Sequence, residues 1–110
     1  MAKMEDFQQI DMRIGTVKEA EAFQEARVPA IKLKVDFGEE VGVKQSSAQI
    51  TKRYAPEDLI GRQVAAVINF PPMKIAGYTS EVLVMGGVPE KGDVVLLNVD
   101  DQVPNGTKIS

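Results

Sequence analysis

The chain has 110 residues, a one-domain length that buries a single core, with 44% hydrophobic residues, 26% charged residues and a formal net charge of −3. It contains neither Cys nor His, which excludes thiol nucleophiles, redox pairs, an imidazole base and nearly every structural zinc site. The acidic balance excludes nucleic-acid binding through the whole surface and leaves room for a local basic patch. Val and Ile together number 22 against 5 Leu, a β-branched excess that favours pleated sheet over helix.

In chain order, residues 6–9 predict a short helical turn and residues 12–19 a first strand, with Gly15 marking a bulge or tight bend. Residues 19–27 fit a continued strand or a helical excursion, because their periodicity decides for neither. Residues 31–37 alternate cleanly. Ile31, Leu33, Val35 and Phe37 form one face and Lys32, Lys34 and Asp36 the other, the pattern of a half-buried strand. Gly38-Glu39-Glu40 is turn chemistry leading into a more polar strand over 44–50, so the two strands form a hairpin. Pro56 followed by Glu57 and Asp58 predicts a helical first turn that Gly61 ends. Residues 64–70 and 81–85 are nearly continuous apolar runs, as in strands buried on both sides or in a small barrel. Pro71-Pro72 and Gly77 break the chain between them; residues 86–92 predict a loop, 94–99 a last strand and Pro104-Asn105-Gly106 a turn. Six extended runs with almost no helix predict an all-β closed or partly open barrel.

Charge is unevenly distributed. Residues 27–62 carry seven bases and five acids, and residues 41–56 three bases and no acid. If strands 31–37 and 44–50 are neighbours, Lys32, Lys34, Lys44, Lys52 and Arg53 assemble a basic surface that meets phosphate; the plain alternative is a solvated strand face whose charges keep the edge unpaired. Tyr54 and Tyr78 lie near bases in sequence and are candidate stacking platforms for single-stranded nucleic acid, in competition with the needs of a core that has only 2 Tyr and 4 Phe to draw on. Phe70-Pro71-Pro72-Met73 is a rigid apolar segment that the prolines keep out of a central ladder, suited to a peptide contact or to turning a barrel corner. Ser80 and Glu81 precede a buried strand, where they bind a ligand or satisfy backbone donors. Gly86-Gly87 lacks the spaced glycines and following helix of a phosphate loop, so no nucleotide cofactor is expected. An enzyme in which Lys74 activates Ser80 beside Glu81 has nothing in the sequence to fix its geometry.

The segments VPAIKLKVDFG (28–38), KQSSAQITKRY (44–54) and NFPPMKIAGYTSEVLVMG (69–86) closely resemble the CsaA-type export-associated chaperones. Those are small members of the tRNA-binding-domain family, which also includes the C-terminal extension of methionyl-tRNA synthetases. DMRIGTV (11–17) and GDVVLLNVDDQVPNGTKI (92–109) fit the same pattern, so the likeness covers nearly the whole chain. It implies one domain over 1–110, a five-stranded Greek-key oligonucleotide/oligosaccharide-binding (OB) barrel with its core near 11–99. It also implies short terminal extensions, 1–10 and 100–110, in a homodimer interface. The partners implied are exported preproteins and the export motor ATPase, with kinship to modules that hold the outer corner of tRNA; no catalytic activity and no cofactor come with the family.

By position, the family's ligand face falls on Lys32, Asn69, Lys74, Ser80 and Glu81, and a peptide surface near Phe70, Pro71 and Met73. The chain departs from the family pattern at Met73, where many relatives have a basic residue, and at Pro29, where dedicated tRNA binders tend to have lysine. Each change removes a phosphate contact, which weakens tRNA binding at physiological salt, and the apolar Met73 leans the site toward peptide. The start MAKMEDFQQI lacks the apolar stretch of a signal peptide, and no run approaches the roughly 20 apolar residues that span a bilayer, so a cytoplasmic protein without membrane insertion is expected.

Overall fold

The alternation in residues 31–37 translates directly into burial: Ile31, Leu33, Val35 and Phe37 are each at most 1% exposed, while Lys32 and Lys34 occupy the opposite face. In the computed structural model, which describes residues 1–110, this strand (β2, Ile31–Asp36) lies between β1 (Met12–Ala22) and β3 (Val43–Ala48). On its other side β1 pairs with β4 (Gln63–Val67), which pairs with β7 (Leu83–Val84), giving one antiparallel five-stranded sheet in the order β3-β2-β1-β4-β7. Two hairpins complete the strands, β5 (Met73–Ile75) with β6 (Tyr78–Ser80) and β8 (Gly86–Glu90) with β9 (Asp93–Leu96). The helical pieces are short: α1 (Met4–Gln8), α2 (Gly38–Val41) and a 3-10 turn at Pro56–Asp58. The sheet curls into a nearly closed barrel, the OB architecture expected from the sequence. No helix is long and apolar enough to cross a membrane.

The core is a cluster of 12 buried residues drawn from all of β1 to β4 together with Phe37, Ile50, Leu59, Val82 and Leu96. Each large aliphatic or aromatic side chain fully buried there stabilises the fold by about 1.5–3 kcal/mol. Gly15 does not bulge. It pairs regularly with Val64, and a Cβ at this position would stand 2.7 Å from side-chain atoms of both Phe37 and Val35, so glycine is required where the coiling strand passes close to β2. The irregularity lies three residues on, where the ladder skips Lys18 between Val17 and Glu19. Beyond it β1 continues to Ala22, which settles residues 19–22 as strand, and Phe23 follows, buried outside the main core cluster with its N–H on the Ala30 carbonyl at 3.0 Å.

Two expected breaks carry structure. Residues 71–77, read as an interruption, contain β5 and the start of a hairpin whose turn residues Ala76 and Gly77 have φ of 47° and 82°, the left-handed pair that a two-residue turn demands. Residues 86–92, read as a loop, form β8, and its Pro89 falls where the pairing with β9 loses register between Gly87 and Glu90.

The barrel is closed largely by side chains. Strand β3 meets residues 79–82 through one backbone bond, from the Glu81 N–H to the Gln45 carbonyl at 2.8 Å. Four further bonds use side chains: Gln45 N–H to Glu81 Oε1 (3.1 Å), Gln45 Nε2 to the Thr79 carbonyl (2.8 Å), Ser46 Oγ to the Val82 carbonyl (2.9 Å) and Ser47 N–H to Ser80 Oγ (3.0 Å). The β8–β9 hairpin is fastened by charge: Arg53 forms a two-point contact with Asp93 (2.5 and 2.9 Å), and Lys52 reaches Glu90 at 3.0 Å. The C-terminal segment runs along β1, with Ile14 N–H on the Thr107 carbonyl and Ile109 N–H on the Met12 carbonyl, both at 2.9 Å. Gln63 grips Val103 through both backbone groups, at 2.7 and 3.1 Å.

Ser46 is buried, so Ser46→Ala leaves the Val82 carbonyl without its donor and is expected to destabilise the protein by about 1–3 kcal/mol, read as a lower urea midpoint with an unchanged slope. The Asp93 carboxyl is held below its ordinary value of 3.8, first by the hydrogen bond from Arg53 and then by that residue's charge. A carboxyl depressed on folding contributes stability that is complete above its ordinary value and is lost as the pH falls through the depressed one. The melting-temperature difference between the native chain and Asp93→Asn is therefore expected to be present at pH 7 and to shrink below about pH 4; a difference that does not change with pH would remove the ionised clamp from this account.

Candidate functional site

The apolar segment after β4 is built outward by its own sequence. Asn69 closes the strand end, its Oδ1 accepting from the Asp11 N–H at 2.9 Å and its Nδ2 donating to the Gln9 carbonyl at 2.8 Å. Its amide is thus committed to holding the N-terminal segment. Pro71 and Pro72 follow without N–H groups, so the chain leaves the ladder and carries Phe70 and Met73 into solvent, 44% and 64% exposed. Beside them opens a groove of about 420 Å³ whose 13 lining residues include 9 hydrophobic ones. Buried Ala48, Ile50 and Val82 line it together with the more exposed Phe70, Met73, Ile75, Leu83 and Val84. Ser80 and Glu81 line it too, but the Ser80 hydroxyl and one Glu81 oxygen are engaged in barrel closure.

A second hollow, of about 380 Å³, shares Ser47, Gln49, Met73 and Ile75 with the first and extends past Val28 to Arg27. The two hollows adjoin through these shared residues as one trough, mostly apolar in its lining and with Arg27 in the second hollow.

The basic residues divide into three separate places. Lys32 and Lys34 share the outer face of β2, where Lys32 stands 3.5 Å from Glu21 and Lys34 3.7 Å from Glu19. Lys44 pairs across strands with Val35 and so belongs to the opposite face of β3, the side of Ser46 and Ala48. Lys52 and Arg53 are bound to Glu90 and Asp93 on the β8–β9 hairpin. The five residues expected to pool their charge are therefore dispersed, and four of them already face a carboxylate. Lys74, on the strand that carries Met73 and Ile75, is exposed and alternates away from them.

Neither tyrosine is a free platform. Tyr54 packs against the core, accepts the Leu96 N–H on its hydroxyl at 3.0 Å and lies under the Arg62 guanidinium at 5.3 Å. Tyr78 donates to the Leu33 carbonyl at 3.3 Å and meets Phe23 edge-on at 5.4 Å. Burial pushes the Tyr78 phenol above its ordinary range, and the charges of Glu21, Glu81 and Glu19 add to the shift. Lys74, Ser80 and Glu81 do not form a nucleophile and base: the serine accepts a backbone N–H, the glutamate is bound to Gln45, and no observed contact joins either to the lysine.

Ile75, Leu83, Val94, Val28 and Arg27 belong to the trough without having been singled out from the sequence. Leu83 is the instructive case. It lies in the middle of an apolar run that reads as buried on both sides, yet it is 52% exposed between buried Val82 and half-buried Val84. Nothing in that continuously apolar run distinguishes Leu83 from its neighbours; its exposure follows from the pleat of a strand at the edge of the sheet.

Residues 12–108 match the family described as "Putative tRNA binding domain". Among solved structures, the chaperone CsaA from Bacillus anthracis is 69% identical, with a TM-score of 0.96, covering 100% of this chain and 99% of that one. The CsaA chaperone protein from Picrophilus torridus is 47% identical, with a TM-score of 0.92 and 100% coverage of both chains. The methionine–tRNA ligase of Methanococcoides burtonii is 38% identical over 105 residues, 96% of this chain, and the chain spans only 15% of that enzyme's length. A family match across the whole barrel, joined to the fold it forms, shows that this chain belongs to the tRNA-binding-domain family.

Proposed function

We propose that this protein is a chaperone-type binding protein that holds apolar stretches of unfolded preproteins in the trough beside Phe70 and Met73 and makes no bonds. The observation that carries this is the apolar groove itself, with two large hydrophobic side chains held outward by a double proline. Two solved relatives described as chaperones match over the full chain. The exposed Met73 supplies an unbranched, adaptable contact that fits irregular apolar partners. An export motor ATPase and a cytoplasmic setting belong to the same proposal, since a client held unfolded must be handed on.

A homodimer completes the proposal. Helix α1 has no buried residue and presents Met4 and Phe7 to solvent, an apolar arm that a second copy would cover. Two weak sites in one dimer raise avidity for a long client without any new contact. Changing Met4 and Phe7 together to Ser is expected to shift the protein to monomer in light scattering while leaving the barrel's circular dichroism unchanged.

A second function, binding tRNA in trans, is favoured by the family match over residues 12–108 and by the ligase relatives. It draws on Lys74, Lys44 and Arg27, which form no ion pair in the structure, and salt separates the two. A labelled apolar peptide is expected to bind with little salt dependence and to lose roughly tenfold in affinity with Phe70→Ser and Met73→Ser together, about 1.4 kcal/mol of lost apolar contact. Labelled tRNA is expected to bind weakly and to respond to Lys74→Gln. Tight tRNA binding that falls steeply with salt, together with peptide binding indifferent to Phe70 and Met73, would reverse the assignment.

A further inference from the structure

The register change in β1 determines which charges meet on the barrel's outer face. Thr16 and Val17 stand opposite Asp36 and Val35; the ladder then skips Lys18 and resumes with Glu19 opposite Lys34 and Glu21 opposite Lys32. In an unbroken antiparallel ladder the numbers of facing residues keep a constant sum. Without the bulge, Lys18 would therefore face Lys34 and Ala20 would face Lys32, while Glu19 and Glu21 would turn inward against Leu33 and Ile31. The extra residue keeps two carboxylates out of the core and sets each of them beside a lysine.

The lysines so matched are the ones that would meet phosphate on this face. Lys32 is 3.5 Å from Glu21, and its ammonium also lies 5.2 Å from the Phe23 ring centre and 5.3 Å from that of Tyr78. The same lysine thus covers ring surface on which a base would stack. Both glutamates are largely exposed and each stands 3.5 Å or more from its lysine, so the pairs add little to folding; their effect is on the potential that an approaching polyanion meets.

We propose that Glu19 and Glu21 are specificity residues that keep RNA off this sheet face, and that the bulge at Lys18 is the device that aims them. This goes beyond the peptide trough and does not depend on it, since the hollow containing these charges shares no lining residue with the apolar groove.

The test is Glu19→Gln with Glu21→Gln, titrated with labelled tRNA and with an unstructured RNA 20-mer across a salt series. Two lysines freed for phosphate should raise affinity about tenfold at low salt and steepen the log–log salt slope by about 1.4–1.8. Adding Lys32→Gln and Lys34→Gln should abolish the gain. Glu57→Gln with Asp101→Asn, exposed positions outside every ion pair, makes the same change in net charge and should leave RNA binding nearly as it was. An unchanged slope, a gain that survives loss of the two lysines, or an equal gain in the charge control would overturn the proposal. Glu21→Gln alone, expected to give about half the slope change, keeps the test available if the double variant folds poorly. Apolar-peptide binding is measured in parallel, so a failure of the trough registers separately.

Discussion

The barrel depends on how β3 is joined to residues 79–82. Backbone ladders hold strands about 4.8 Å apart, but only one of the five bonds here is backbone to backbone; the others reach across with Gln45, Ser46, Ser80 and Glu81 side chains. Side-chain bridges span a wider gap than a ladder does, and each must be satisfied because the seam runs over the buried Ser46 and Val82. The apolar groove opens along this seam, with Ser47, Ala48, Ser80, Glu81 and Val82 in its lining. Closure and the apolar groove are thus one feature. A fully paired barrel would have had no such hollow, and an unpaired one would have left its edge free to aggregate.

The same economy governs charge. With a net charge of −3, the chain has enough acid to neutralise its bases, and it places that acid by strand register and by hairpin docking. Lys52 and Arg53 fasten the β8–β9 hairpin to the loop after β3, while Lys32 and Lys34 are matched from β1. The pair of Arg53 with Asp93, like that of Arg13 with Asp11, combines short distances with a shielded carboxylate, so it contributes to folding in a way the glutamate–lysine pairs do not.

The sequence revealed what local periodicity controls. Residues 31–37 declared their face, their hairpin partner followed from the Gly38-Glu39-Glu40 turn, and the motif resemblance supplied the OB topology. It did not reveal features set by contacts distant in sequence. Gly15 looked like a bulge because glycine in a strand usually marks one, whereas its smallness is required by Phe37 and Val35 more than 15 residues away. Lys18 carries no local mark of a bulge, since any residue can be skipped. Strands β5 and β6 are three residues each, too short for a period to show, and Pro71-Pro72 before them and Gly77 between them argued for a break. For the candidate site, the exposure of Phe70 and Met73 was legible because two prolines force the chain outward. The basic cluster was not, because a list of lysines does not show which carboxylate the fold sets against each one.

Fold alone therefore leaves the ligand open, and side chains decide it. The barrel has two candidate surfaces for a flexible chain: a polar sheet face over β1 and β2, and an apolar trough along the closure seam. A polyanion needs unpaired cations and bare rings, and on the first surface both are taken up, by Glu19 and Glu21 on one side and by Lys32 over Phe23 and Tyr78 on the other. An unfolded polypeptide needs apolar contact and tolerance of variable sequence, and on the second surface Phe70, Met73 and Leu83 stand exposed beside buried Ala48, Ile50 and Val82. Because the two surfaces are lined by different residues, the exclusion of RNA proposed for one does not restrict the peptide binding proposed for the other. On the proposed function, that separation would let a scaffold shared with the tRNA-binding-domain family serve a different kind of chain.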